Sequence, residues 1–199
     1  MLDLGNASVA KIVDDVQVFT LDHLLPTADR ARIDAHRGWL APTYLDGTDG
    51  LILSFHSYLI RTSHHTILVD TCAGNDKERP ARPSWHRRRG AYFDRLAEAG
   101  VRPDDVDFVM CTHLHADHVG WNTRLRDGRW VPTFPRARYL FGQREVAHWQ
   151  ARAVMADGPL NHGSWDDSVA PVLAAGAADL VADDHRIDDM LALAPAPGH

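Results

Sequence analysis

Nowhere in the 199 residues do about 18 apolar residues run together, which excludes an ordinary membrane-spanning helix. Cysteine is scarce. Cys72 and Cys111 are the only two, too few for a disulfide framework, and both follow or end apolar runs, so buried free thiols are expected. An excess of positive charge is also missing. Lys and Arg total 21 against 27 Asp and Glu, a net charge of −6, which speaks against a nucleic-acid partner. The opening Met1-Leu2-Asp3-Leu4-Gly5-Asn6 has neither the basic start nor the apolar core of a secretory signal, so a cytoplasmic location is expected. No internal repeat and no linker divides the chain. One domain over residues 1–199 is expected, long enough to bury a substantial core.

What the chain does hold is concentrated in Thr112-His113-Leu114-His115-Ala116-Asp117-His118-Val119-Gly120. Three of its 13 histidines and one carboxylate fall within six residues, directly after the apolar run Val106 to Cys111. That run predicts a buried strand. If extended geometry continues past Thr112, His113 and His115 share a face and can grip one cation. Asp117 and His118 then point elsewhere, towards a second cation. Imidazole with carboxylate suits zinc, iron or manganese. Cys111 as a further ligand is the lesser reading.

The segment His113-Leu114-His115-Ala116-Asp117-His118 resembles the His-x-His-x-Asp-His signature of the metallo-β-lactamase superfamily. Ile67-Leu68-Val69-Asp70-Thr71 resembles that family's upstream strand and Asp-Thr turn, with the usual following glycine delayed to Gly74. Ala196-Pro197-Gly198-His199 resembles its downstream Pro-Gly-His element. The resemblance implies an α/β (α+β) fold, an αββα sandwich whose second half is largely absent from this chain, and so a C-terminal truncation after His199. It implies that His113, His115 and His199 hold one metal and that Asp117 and His118 hold another. The two divalent ions would be zinc first, with Mn, Fe or Co as alternatives. A bridging aspartate and one further histidine would lie downstream. By the same resemblance Asp70 sits under the metals and orients their ligands.

The rest of the chain reads as scaffold. Ser8 to Leu21 predicts a strand or two, and Asp22 to Tyr44 a long loop with a short helical piece. Trp39 and Leu40 in that loop are candidates for lining a pocket. Gly50 to Arg61 and Thr66 to Thr71 predict adjacent antiparallel strands about a solvated turn at His64-His65. The basic run Asn75 to Arg89 reads as a solvated loop. Phe93, Leu96 and Ala97 predict a short amphipathic helix ending at Gly100. Trp121 could wall the site or join the core. Ala137 to Phe141 predicts a strand, Gly142 to Gln150 the start of a helix that carries a structural His148, and Ser168 to Ala178 a further helix. His162 to Trp165 is the segment that could reach the pocket.

The expected activity is metal-dependent hydrolysis of an ester-like bond through a metal-bound hydroxide, with Asp117 also catalytic. By resemblance the substrate class is that of the lactonase and organophosphate-hydrolase branch: a lactone, aryl ester or phosphotriester. The alternatives are a single-iron dioxygenase of the same fold and a non-catalytic metal-binding member. The expected partners are a small-molecule substrate and, in a homodimer, a second copy, with no nucleic acid and no membrane.

Overall fold

In the computed structural model, residues 1–155 and 158–197 are described. The long pair β2 (Ala7–Thr20) and β3 (Gly50–Thr62) runs antiparallel, with a register shift between Val13 and Asp15. The short β1 (Leu2–Asp3) flanks this pair, and β4 (Thr66–Val69) follows β3 antiparallel. Beyond it β5 (Phe108–Met110), β8 (Arg138–Gly142) and β9 (Ala178–Val181) add in parallel, giving one seven-stranded sheet of order β1-β2-β3-β4-β5-β8-β9. This is the mixed α/β arrangement expected from the sequence.

Alternation along the strands decides what the sheet buries. Leu59, Leu68, Val109 and Tyr139 form one row across four neighbouring strands, and all are buried. Against this row pack Tyr92 and Leu96 of α3 (Tyr92–Glu98) and Val146 and Trp149 of α5 (Gln143–Met155). The opposite face leaves Val16, Val18 and Tyr58 open to solvent. Gly100, at φ 73, ends α3 in the left-handed conformation that glycine tolerates. Among the described residues no helix is long and apolar enough to cross a membrane.

Some local expectations change. The Asp22–Tyr44 stretch holds α1 (Leu21–Leu24) and an eleven-residue helix, α2 (Arg30–Leu40), because Asp29 caps α2 by accepting from the amides of Ala31 and Arg32. Trp39 on α2 is exposed and meets Tyr44. The charged turn near Leu125 is a hairpin of β6 (Thr123–Arg126) and β7 (Arg129–Pro132). Its loop is Asp127-Gly128, both at positive φ, the two-residue turn such a dipeptide favours. The expected helix over Ser168–Ala178 is only α6 (Ala170–Ala174), preceded by a wider turn at Trp165–Val169. Gly176, at φ 65, breaks it, and Ala178 already belongs to β9.

The largest correction concerns Asn75–Arg89. Lys77 and Arg79 are 0% and 1% exposed rather than solvated. Arg79 forms a bidentate pair with Asp167 at 2.6 and 2.9 Å. Lys77 Nζ donates to Thr123 Oγ1 at 2.6 Å and lies 3.6 Å over the Trp130 ring. Arg88 pairs with the buried Asp14. Acidic partners distant in sequence draw these cations inward, as buried charges require.

Candidate metal centre

The centre forms where two adjacent parallel strands end. The β4 strand stops at Val69, and Asp70, at φ 59, turns the chain. The β5 strand stops at Met110, whose carbonyl accepts from the Asp70 amide at 2.8 Å. The carboxylate of Asp70 then accepts from the Thr112 amide at 2.8 Å and from its hydroxyl at 2.8 and 3.0 Å. One side chain thus ties the two strand ends together.

A second tie is a close crossing of backbones. Gly120 donates to Cys72 O at 2.7 Å, Trp121 to Thr71 O at 2.8 Å, and Thr71 to His118 O at 2.7 Å. A Cβ on Gly120 would lie 2.0 Å from the Ala73 carbonyl carbon, and one on Gly74 would lie 2.7 Å from Gly120. Both positions therefore need glycine.

Between these ties the residues alternate. Leu114 and Ala116 are buried, while His113, His115, Asp117 and His118 are half-buried. The shared face foreseen for His113 and His115 is present, although the regular strand has ended. His113 Nε2 lies 3.0 Å from His115 Nδ1, and Thr112 Oγ1 lies 3.1 Å from His113 Nδ1. Asp117 and His118 belong to the single turn α4 (Ala116–Val119). His118 does not point away from the first pair, since its ring centroid lies 4.0 Å from that of His113. Its Nδ1 meets Asp70 Oδ2 at 2.8 Å and its Nε2 faces Asp117 Oδ2 at 3.5 Å.

Charge is set by these contacts. Burial works against a charged His118, but the carboxylates of Asp117 and Asp70 outweigh it and hold the ring at about 9. Burial likewise pushes Asp117 up, and His118 outweighs it so that the carboxyl stays below its usual range. A metal taking the Nε2 of His118 therefore displaces a proton. Cys111 is not an available ligand, because it is buried beside Asn122 and burial pushes its thiol far up. Cys72 is also buried and free. Trp121 is core, stacked on Tyr92 at 5.4 Å.

Two neighbours carried no sequence signal. Glu145 Oε2 accepts from the Leu114 amide and from Trp149 Nε1, each at 3.1 Å, and Trp149 packs edge-on to His115. Asn161 Nδ2 donates to Leu114 O at 2.7 Å. A cavity of about 710 Å³ opens beside His113 and His115, bordered by Glu145, His148 and Trp149. The exposed His148 therefore faces this cavity.

The donor set of imidazoles and one carboxylate fits a divalent transition metal. Among the described residues it comes as two pairs, His113 with His115 and Asp117 with His118, and no group of three or more converges as a metal cage. His199 lies outside the described residues.

Residues 55–197 match the family model for the metallo-beta-lactamase superfamily. The N-acyl homoserine lactonase AiiB of Agrobacterium fabrum is 30% identical over 115 residues, 52% of this chain and 42% of the lactonase. A probable metal-dependent hydrolase from Staphylococcus aureus superposes with a TM-score of 0.70 at 18% identity, covering 94% of this chain and 63% of that one. The dizinc quorum-quenching lactonase AidC superposes with a TM-score of 0.66 at 16% identity, covering 94% and 62%. The chain thus spans less than two thirds of the length of each.

Proposed function

Since the chain belongs to the metallo-β-lactamase superfamily, we propose that it is a metal-dependent hydrolase of ester-like bonds in small molecules, with lactones, aryl esters and phosphotriesters as its substrate classes. The observation that carries this reading is the facing pair His113 and His115 beside the Asp117–His118 pair at the ends of β4 and β5. Ligands at the carboxyl ends of parallel strands are the usual placement in open α/β sheets. The lactonase likeness of AiiB supports lactones as the first compounds to test.

In this reading His113 and His115, with His199, hold one divalent ion, and Asp117 and His118 hold a second. Bound there, such ions supply Lewis acidity and bring a water's pKa towards about 7. The chain's own residues do the rest. Asp70 accepts the Nδ1 proton of His118, which fixes the tautomer and leaves Nε2 as the donor atom. Glu145 and Asn161 hold the Leu114 peptide from both sides and so keep the two imidazoles in register. Asp117 orients the attacking water and accepts its proton at a carboxylate oxygen.

The test is metal content by mass spectrometry on the purified protein, with turnover of lactones and aryl esters before and after chelation. Close to two zinc, manganese or cobalt ions per chain and chelator-sensitive hydrolysis are expected. A single iron per chain without hydrolysis would replace this reading with the oxygenase one.

A further inference from the structure

Leu114 separates His113 from His115, and both of its backbone polar groups are taken by side chains from elsewhere. Its amide donates to Glu145 Oε2 at 3.1 Å, and its carbonyl accepts from Asn161 Nδ2 at 2.7 Å. Leu114 is buried, so these groups need protein partners. The β5 strand ended at Met110, and its ladder no longer supplies them. A rotation of either flanking peptide would swing one of the two imidazoles. Glu145 comes from the first turn of α5, a regular helix. Asn161 comes from a turn, Leu160–Gly163, whose backbone is anything but regular.

Asn161 (φ 49, ψ 51), His162 (φ 58, ψ 21) and Gly163 (φ 86) are three successive left-handed residues. That conformation is unfavourable for a residue with a Cβ, and it persists only where the surroundings hold it. Here they do. Leu160 packs against the core before the turn, and Trp165 is buried in it after. Arg79 Nη1 donates to His162 O at 2.8 Å, and a Cβ on Gly163 would lie 3.4 Å from the same nitrogen. Arg79 is itself fixed by two bonds to Asp167, at 2.6 and 2.9 Å. Hydrogen bonds and peptide bonds therefore run unbroken from Asp167 through Arg79, His162 and Asn161 to Leu114.

We propose that Asn161 is a positioning residue for the metal centre, and that the Arg79–Asp167 pair sets its position by holding the strained turn closed onto the Leu114 carbonyl. The turn acts as a latch. When either end is released, the backbone relaxes towards ordinary dihedrals, the amide leaves Leu114 O, and the spacing of His113 and His115 loosens. Asparagine suits the place because it tolerates the left-handed backbone and carries an N–H donor. The effect on metal binding rests on the hydrolase reading; the latch itself does not.

Asn161→Gly keeps the backbone conformation and deletes the donor. Zinc affinity, measured by competition with a chromophoric chelator, should fall about tenfold, the lower end of the scale for residues behind metal ligands. Asp167→Asn keeps the size but weakens the grip on Arg79, and should cost a similar factor. The double variant should bind zinc no more weakly than Asn161→Gly alone, since Asp167 acts through the latch. Losses that multiply would mean two independent structural effects. The metal-free protein supplies the second readout. Hydrogen exchange at the Leu114 amide should quicken about tenfold in Asn161→Gly, while the Val109 amide in β5 keeps its rate. Unchanged zinc affinity, multiplied losses or unchanged Leu114 exchange would each overturn the proposal. Faster Leu114 exchange in a protein whose wild type binds no zinc would support the latch and overturn the hydrolase reading instead. If Asp167→Asn does not fold, Asn161→Gly alone decides.

Discussion

Asp70 and His118, 48 residues apart in sequence, are joined at 2.8 Å between Oδ2 and Nδ1. The same carboxylate holds Thr112, the residue before His113. One half-buried acid thus meets both a candidate ligand and the place where the candidate ligand loop begins. Asp70→Asn keeps the size and tolerates the positive φ but loses the charge. It should weaken metal binding by about 10- to 100-fold, the usual scale for a residue behind a ligating histidine. Titration with a competing chelator measures this, and unchanged affinity would show that Asp70 only braces the turn.

Asp117→Ala should remove most hydrolytic turnover, by about 100-fold or more, through loss of its proton-accepting role alone. Single-turnover kinetics at matched metal content would isolate that role. Near-normal turnover would sink the assignment.

The Gly74–Gly120 crossing leaves no room for a side chain. Gly120→Ala should cost about 2 kcal/mol or more, because the new Cβ meets backbone that has nowhere to go. Urea unfolding measures it, with Gly47→Ala as the control, since nothing lies within 4 Å of that position.

The Lys77–Arg79–Asp167 cluster should make stability depend on pH. Burial pushes Lys77 down from 10.5 to about 7, against the upward pull of Asp167. Between these values the unfolded chain binds a proton that the folded chain does not. Stability from this group therefore rises with pH across that window, by at most about 1.4 kcal/mol per pH unit, and is flat below it. Lys77→Met should flatten the slope of Tm against pH between 7 and 10. A parallel slope in the variant would mean that Lys77 does not titrate there.

Asp167→Ala leaves Arg79 and Lys77 buried without their carboxylate. A loss of about 3–5 kcal/mol is expected, as for other broken buried pairs. Since Arg79 also holds His162 O, the Leu160–Gly163 turn should loosen first. Amide hydrogen exchange at Asn161–Gly163 would register this before global unfolding.

Legibility followed range. The strands around His64-His65, the helix before Gly100 and the alternation through His113 and His115 are written in neighbours a few residues apart, so spacing alone exposes them. The basic run Asn75–Arg89 misleads, because its local composition is that of a solvated loop while its partners Asp14 and Asp167 come from either end of the chain. The α2 helix is obscured for a smaller reason: it buries none of its residues, so no apolar period marks it and only the Asp29 cap does.

By itself, then, the sequence determined which candidate donor atoms exist, how they are spaced, and which strands lead to them. Periodicity and ligand spacing are local properties, and a strand's alternation holds whatever it pairs with. The tertiary structure decided which donors meet. Only the order β4-β5-β8 sets Asp70 beneath His118 and Glu145 beside Leu114. Only the folded backbone brings Arg79 to His162 and presses Gly74 against Gly120. Such contacts join residues tens of positions apart, and the packing of the whole sheet, not any short stretch, selects them.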